Sequence, residues 1–182
     1  MKRAVLMTLG LWLMGVTALT AGYRIGIKGS FFSSENQTFR TIYGSAAKFG
    51  IEGGLDIAKN WSLWAGLDYL HKTGELTVTK EETRVSIMPL TLGVRYEIPA
   101  GPKLRFHVGA GAQEVFFKEE TVLGTAKENA LGFIAAGGVV YRLADSVGIG
   151  FFLAWSTCKM KHEDIDFKVG GLDIGGGIDF RF

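Results

Sequence analysis

The feature that most constrains this chain is a two-residue alternation, which its last segment, residues 169–182, shows clearly. Leu172 and Ile174 fall on one side of an extended strand, whereas Asp173 and Asp179 fall on the other side among glycines. Seven similar segments precede it, and the connections between successive segments are alternately long and short. This arrangement predicts an all-β fold, an eight-stranded antiparallel up-and-down barrel.

The connections differ in composition as well as in length. Short turns are predicted at 58–60, 99–102 and 144–146. Long, polar loops are predicted at 33–45, 71–84, 118–130 and 157–168. In barrels of the outer membrane the short turns face the periplasm and the long loops face the outside, so we expect both termini to be periplasmic.

The first 22 residues have the composition of a secretory signal peptide. Lys2 and Arg3 precede an apolar stretch at 4–16, and small residues follow it. We expect cleavage near Ala21 or Gly22, which leaves one barrel domain. The apolar stretch is shorter than the ~20 residues that a membrane-spanning helix requires.

Charge and cysteine content exclude several functions. The chain has 20 basic and 18 acidic residues, and Lys2 and Arg3 supply the whole excess, so the predicted domain at 23–182 is neutral. This balance gives no support for a nucleic-acid partner. Cys158 is the only cysteine, so no internal disulfide forms, and we interpret it as an ordinary loop residue. No metal-ligand spacing occurs, and no cofactor is expected.

Alternation alone does not decide whether the apolar side faces a soluble core, as in a lipocalin, or lipid. Aromatic residues stand at both ends of that side, Tyr23, Trp61, Tyr96, Phe106, Tyr141 and Phe182 at one end and Phe31, Phe49, Tyr69, Phe133 and Trp155 at the other. Two such girdles are typical of membrane barrels, and the glycine-rich opposite side suits a narrow interior. The pattern therefore predicts a transmembrane barrel with its apolar side facing lipid.

The charged residues on the inward side nearly cancel one another. Unpaired charges in a narrow lumen are costly, so this balance predicts ion pairs between strands. The predicted lumen salt-bridge network comprises Arg24, Lys28, Lys48, Glu52, Asp56, Asp68, Arg95, Glu97, Arg105, Arg142, Asp173, Asp179 and Arg181.

These features resemble the small outer-membrane β-barrel family of the outer-membrane protein A, outer-membrane protein X and opacity type. The matching pieces are the signal peptide and residues 86–96, 107–112, 136–142 and 170–182. The resemblance implies that the terminal aromatic residues Phe180 and Phe182 form an assembly signal, which the barrel-assembly machinery reads.

We predict a structural or surface-interaction role in the outer membrane, with loops that contact lipopolysaccharide, host surfaces or other proteins. The alternative is a narrow porin-like channel for small solutes. The inward positions of Phe32, Trp64 and Phe152 argue against a general diffusion pore.

A second alternative is an enzyme that modifies lipid A, for which His71, His162 and Ser156 are the candidates. We interpret both histidines as solvated loop residues and His107 as an interior residue of the fifth strand. The prediction is therefore that the chain has no catalytic residues.

Overall fold

The computed structural model describes residues 22–75, 81–122, 124–162 and 165–182. The predicted signal peptide, apart from Gly22, lies outside this range. The elements are β1 (Tyr23–Ser34), α1 (Gln37–Tyr43), β2 (Ala46–Ala58), β3 (Trp61–Glu75), β4 (Glu82–Pro99), β5 (Leu104–Thr121), β6 (Gly124–Ala144), β7 (Val147–His162), β8 (Ile165–Lys168) and β9 (Gly171–Arg181). No helix in the part of the chain described is long and apolar enough to cross a membrane.

Eight of the strands close into an antiparallel barrel. Each strand from β1 to β7 pairs with the next, and β9 pairs with both β7 and β1. The remaining strand, β8, pairs with the far end of β7 as a short hairpin. The predicted all-β eight-stranded barrel is confirmed, and its seam is the pairing of β1 with β9.

The two ends of the barrel differ, because one carries short turns and the other carries long β-hairpins. At the short-turn end, β2 and β3 are joined through Asn60, which has a positive φ of 65°. At the hairpin end the prediction of long loops is wrong. β3 and β4 continue into 71–84, β5 and β6 fill most of 118–130, β7 and β8 fill most of 157–168, and α1 lies within 33–45.

At the hairpin end the strands extend into the segments predicted as loops, because their apolar side chains change there from the outward face to the inward face. On β4, the outward Leu90 is 47% exposed, but farther along Val85 and Ile87 point inward and are 0% and 5% exposed. The reversal is what a wall that passes from the predicted lipid layer into water would show. The register of β5 with β4 and with β6 continues unbroken through Glu114.

Candidate functional site

The lumen near the short-turn end holds a cluster of ion pairs centred on Glu97. Arg24 contacts one oxygen of Glu97, and Arg105 lies 2.8 Å from the other, with Arg181 at 3.5 Å. Arg181 also reaches Asp56 at 2.6 Å. Because these residues come from β1, β2, β4, β5 and β9, the cluster ties together strands on both sides of the seam.

A second set of ion pairs lies farther up the lumen. Arg95 binds both oxygens of Glu52 at 2.8 and 3.1 Å, and Lys28 lies 3.0 Å from Asp68. The guanidinium of Arg95 also lies over the ring of Trp64 at 5.1 Å. Bidentate pairing and ring stacking together hold Arg95 in one orientation.

The uppermost ion pair joins Lys48 on β2 to Asp173 on β9, with 2.5 Å between the ammonium nitrogen and a carboxylate oxygen. Ser30, on the intervening strand β1, donates a hydrogen bond to Asp173 at 3.1 Å. The same ammonium lies 5.4 Å from the ring centre of Phe32. Beyond this level the lumen becomes apolar.

All predicted network residues except Arg142 and Asp179 form ion pairs within 4.0 Å. Among the described residues, Arg142 and Asp179 have no carboxylate or cationic partner within that distance. Asp179 instead lines a cavity of about 70 Å³ in the lower lumen, together with His107. A cavity of this size has room for about two water molecules.

The hairpin end of the lumen is closed by apolar side chains, which sequence reasoning did not predict. We call this group the apolar plug; it consists of Phe32, Tyr43, Ala46, Leu70, Val85, Ile87, Val115, Phe117, Cys158, Met160 and Val169. Its members are at most 7% exposed, so they exclude solvent as a protein core does. The inward apolar alternation beyond the rim was the signal that could have revealed it.

Helix α1 covers the plug. The side chain of Asn36 caps its first turn by accepting a hydrogen bond from the backbone nitrogen of Phe39 at 3.2 Å. Gly44, with a positive φ of 64°, ends the helix. Phe39 and Ile42 face the barrel and pack against the plug, so α1 serves as its lid.

Tyr43 fastens the lid to the barrel wall. Its hydroxyl donates a hydrogen bond to Glu119 on β5 and lies 2.9 Å from the hydroxyl of Thr83 on β4. Burial and the hydrogen bond to Glu119 both raise the pKa of Tyr43 above its usual value. The phenol therefore stays neutral at ordinary pH and keeps donating to Glu119.

A sequence model of the outer membrane protein beta-barrel domain matches residues 4–182. The chain belongs to this family. It is an outer-membrane β-barrel, as predicted, and the hairpin end is the extracellular one, since long connections face outward in such barrels. No curated protein sequence matches the chain.

Several solved structures share the fold of this outer-membrane barrel, and three of them illustrate the likeness. Neisserial surface protein A matches with a TM-score of 0.64 and 13% identity, over 89% of this chain and 97% of that one. OprG of Pseudomonas aeruginosa matches with a TM-score of 0.60 and 12% identity, over 89% of this chain and 95% of that one. Ail of Yersinia pestis, in complex with the heparin analogue sucrose octasulfate, matches with a TM-score of 0.54 and 15% identity, over 89% of this chain and 97% of that one.

The outer wall of the barrel carries the aromatic residues at its two rims. At the periplasmic rim Trp61 and Tyr96 lie in contact, with ring centres 4.9 Å apart, and Phe182 stacks on Tyr23 at 5.0 Å. At the extracellular rim Phe31 is 74% exposed toward the surroundings. This is the arrangement that anchors barrels at the two membrane interfaces.

Of the residues considered for catalysis, His71 and Ser156 do not come together. His71 lies on the outer wall of β3, where its Nδ1 is 3.0 Å from the hydroxyl of Ser86. Ser156 points into the lumen and is 8% exposed, and the side chain of His162 lies outside the described residues. His107 lies in the lower lumen beside the cavity, as expected for an interior residue.

The prediction for Cys158 is wrong. It lies on β7 within the apolar plug and is 3% exposed, so it is a core residue and not a loop residue.

Among the described residues, no cluster of three histidine, cysteine or acidic side chains has the geometry to hold a metal ion.

Proposed function

We propose that this outer-membrane barrel has a structural role and presents its extracellular hairpins to surface partners, and that it neither conducts solutes nor catalyses a reaction. The observation that supports this proposal is the closure of the lumen. Ion pairs fill its periplasmic half, and the apolar plug with its lid α1 fills its extracellular half. An ion entering from outside would have to displace well-packed apolar side chains, which is energetically costly.

The hairpins are suited to contact because they continue the barrel as paired strands. β5 and β6 remain paired up to Thr121 and Gly124, well beyond the extracellular aromatic residues. A rigid β-ribbon presents side chains with a smaller loss of conformational entropy on binding than a flexible loop. Ail, which shares the fold, is seen with a sulfated carbohydrate, so a barrel of this architecture can bind a surface ligand.

Single-channel recording of the folded chain in planar bilayers tests the closure. We expect no reproducible conductance from the unaltered chain. We also expect none from Arg95→Ala, because this variant changes only the lower lumen and keeps Phe39 and Ile42 of α1. A reproducible conductance that responds to Arg95→Ala would establish the porin-like alternative. A deletion of 120–125, closed by a short turn, keeps Glu119 as the partner of Tyr43 and separates the two roles, because a purely structural barrel would keep its envelope function without the hairpin tip.

A further inference from the structure

The two inward charges that form no ion pair in the described part of the chain, Arg142 and Asp179, lie at the same level of the barrel. Arg142 on β6 stands opposite Gly148 on β7, and Gly148 stands opposite Asp179 on β9. Neighbouring strands are about 4.8 Å apart, so the α-carbons of Arg142 and Asp179 are about 10 Å apart. Because the residue between them has no side chain, a gap separates this cation from this anion.

Both charges line one small cavity at the periplasmic end of the lumen. The cavity has a volume of about 20 Å³ and extends to Asp145 and Ser146, which are exposed on the turn between β6 and β7. A solute of the periplasm can therefore reach it without passing the apolar plug.

The cavity of about 70 Å³ described above adjoins this one, since His107, Val140 and Asp179 line both. On the side of β6 and β7 the larger cavity has an apolar wall that includes Ala136 and Ala154. Together the two cavities offer the space of about three water molecules, which is close to the volume of glycine. Only a very small ligand fits.

The other charged residues that line the smaller cavity need no external partner. Three arginines bind to Glu97 through the ion pairs described above, and these are Arg24, Arg105 and Arg181. Asp145 is exposed on its turn, so water solvates it. Arg142 and Asp179, by contrast, are half-buried, and partial loss of water without a counter-charge costs free energy.

The signs of these charges restrict the class of ligand. A simple anion would meet Arg142, but it would leave Asp179 without a partner and would be repelled by Glu97. A simple cation would meet Asp179 and would be repelled by the arginines. A ligand that carries one carboxylate and one ammonium group would compensate both residues without adding net charge.

We infer that this cavity binds a small zwitterion from the periplasm, such as glycine or alanine, with its carboxylate toward Arg142 and its ammonium group toward Asp179. A guanidinium can bind a carboxylate through two parallel hydrogen bonds, and an aspartate accepts hydrogen bonds from an ammonium group. The site lies below the apolar plug and requires no conduction. It therefore goes beyond the structural role proposed above and does not depend on it.

A ¹H–¹⁵N NMR titration of the folded full chain in detergent micelles tests the site, with glycine, acetate and methylammonium as probes. Glycine should shift the amide resonance of Gly148 and the side-chain resonance of Arg142 until both saturate. Acetate and methylammonium each carry only one of the two charges. Each should therefore bind on the order of tenfold or more weakly than glycine, because one charge-assisted hydrogen bond is lost.

Arg142→Gln and Asp179→Asn should each weaken glycine binding on the order of tenfold, measured at Gly148. Arg142→Lys should bind with intermediate affinity, since it keeps the charge and loses the planar fork. The matched control is Lys59→Gln, which removes an exposed cation from another periplasmic turn and should leave binding unchanged. Heat-modifiable migration verifies the fold of every variant.

Stability distinguishes a binding residue from a structural one. Neither Arg142 nor Asp179 forms an ion pair in the described part of the chain, so Arg142→Gln and Asp179→Asn should keep the urea midpoint of the wild type. Arg95→Gln, which breaks the bidentate pair with Glu52, should lower it. A midpoint for Arg142→Gln and Asp179→Asn as low as that of Arg95→Gln would show a structural role and overturn the proposal.

The titration itself has three contrary outcomes. Equal affinity for glycine and acetate would show a site for simple anions. Unchanged glycine binding in Arg142→Gln and Asp179→Asn would place the ligand elsewhere. The absence of any saturable shift with glycine would show that water alone occupies the gap, and each of these results would overturn the proposal.

Discussion

The ammonium group of Lys48 lies 2.5 Å from a carboxylate oxygen of Asp173, so an ion pair bridges β2 and β9 across the inner face of β1. The pair therefore spans the seam of the barrel. Both side chains are almost fully buried, at 9% and 2% exposure, and they lie directly beneath the apolar plug. Either charge left alone here would have no oppositely charged partner and little access to water.

Asp173→Ala should destabilise the folded barrel by about 3–5 kcal/mol, because it leaves the Lys48 ammonium buried and unpaired. The double variant Lys48→Met with Asp173→Ala should recover much of the loss. Urea unfolding in lipid vesicles measures both. The exposed pair Arg84 and Glu82 is the control, since Glu82→Ala should change stability by less than about 1 kcal/mol. A loss for Asp173→Ala as small as the control would contradict the prediction.

Tyr43 should make the stability of the lid depend on alkaline pH. Its pKa is raised in the folded chain, so the stabilisation it provides is complete below about pH 10, where an unfolded tyrosine begins to ionise, and is lost as the pH rises toward the folded pKa. Tyrosinate absorbance should show one late-titrating phenol fewer in Tyr43→Phe than in the wild type. Early titration of all tyrosines in the wild type would show that Tyr43 is not held as described.

Period-two alternation was sufficient to predict the barrel, because a side chain on a membrane strand faces either lipid or lumen. The same reasoning identified inward charges such as Arg95 and Glu52, which do pair. It did not identify which charges pair. Arg142 and Asp179 also lie on the inward face, but in the described part of the chain neither forms an ion pair. Partner choice depends on the stagger between strands, and that stagger is not encoded locally.

The extracellular closure was missed for a different reason. Beyond the aromatic rim, Val85 and Phe117 continue the alternation with the apolar side reversed, directly beside the segments 71–84 and 118–130 for which long, polar loops were predicted. Helix α1 is only seven residues long, too short for a periodic signal, although Asn36 and Gly44 are suitable caps. If the reversal marks the place where the wall passes from lipid into water, the extension of the strands and the inward apolar side chains of the plug both follow from it.

Gly50 should not tolerate a larger residue. A Cβ added there would lie 2.0 Å from a carboxylate oxygen of Asp68 and 2.9 Å from the backbone oxygen of Leu67, so it would push Asp68 away from Lys28. We expect Gly50→Ala to lower the free energy of unfolding by about 1–3 kcal/mol. Gly53→Ala on the same strand is the control, because its nearest neighbour lies at 3.9 Å. Equal urea midpoints for the two variants would contradict this account.

Phe182 should matter more for assembly than for the stability of the finished barrel. Its ring stacks on Tyr23, and its backbone exchanges two hydrogen bonds with the same residue at 2.8 and 3.2 Å. An aromatic pair contributes about 0.5–1.5 kcal/mol, so Phe182→Ala and Tyr23→Ala should destabilise the folded barrel similarly in detergent micelles. In cells, only Phe182→Ala should lower the fraction that migrates as heat-modifiable outer-membrane protein, because only this variant changes the predicted assembly signal. Equal assembly defects in the two variants would show that the stack, and not an assembly signal, is what the cell requires.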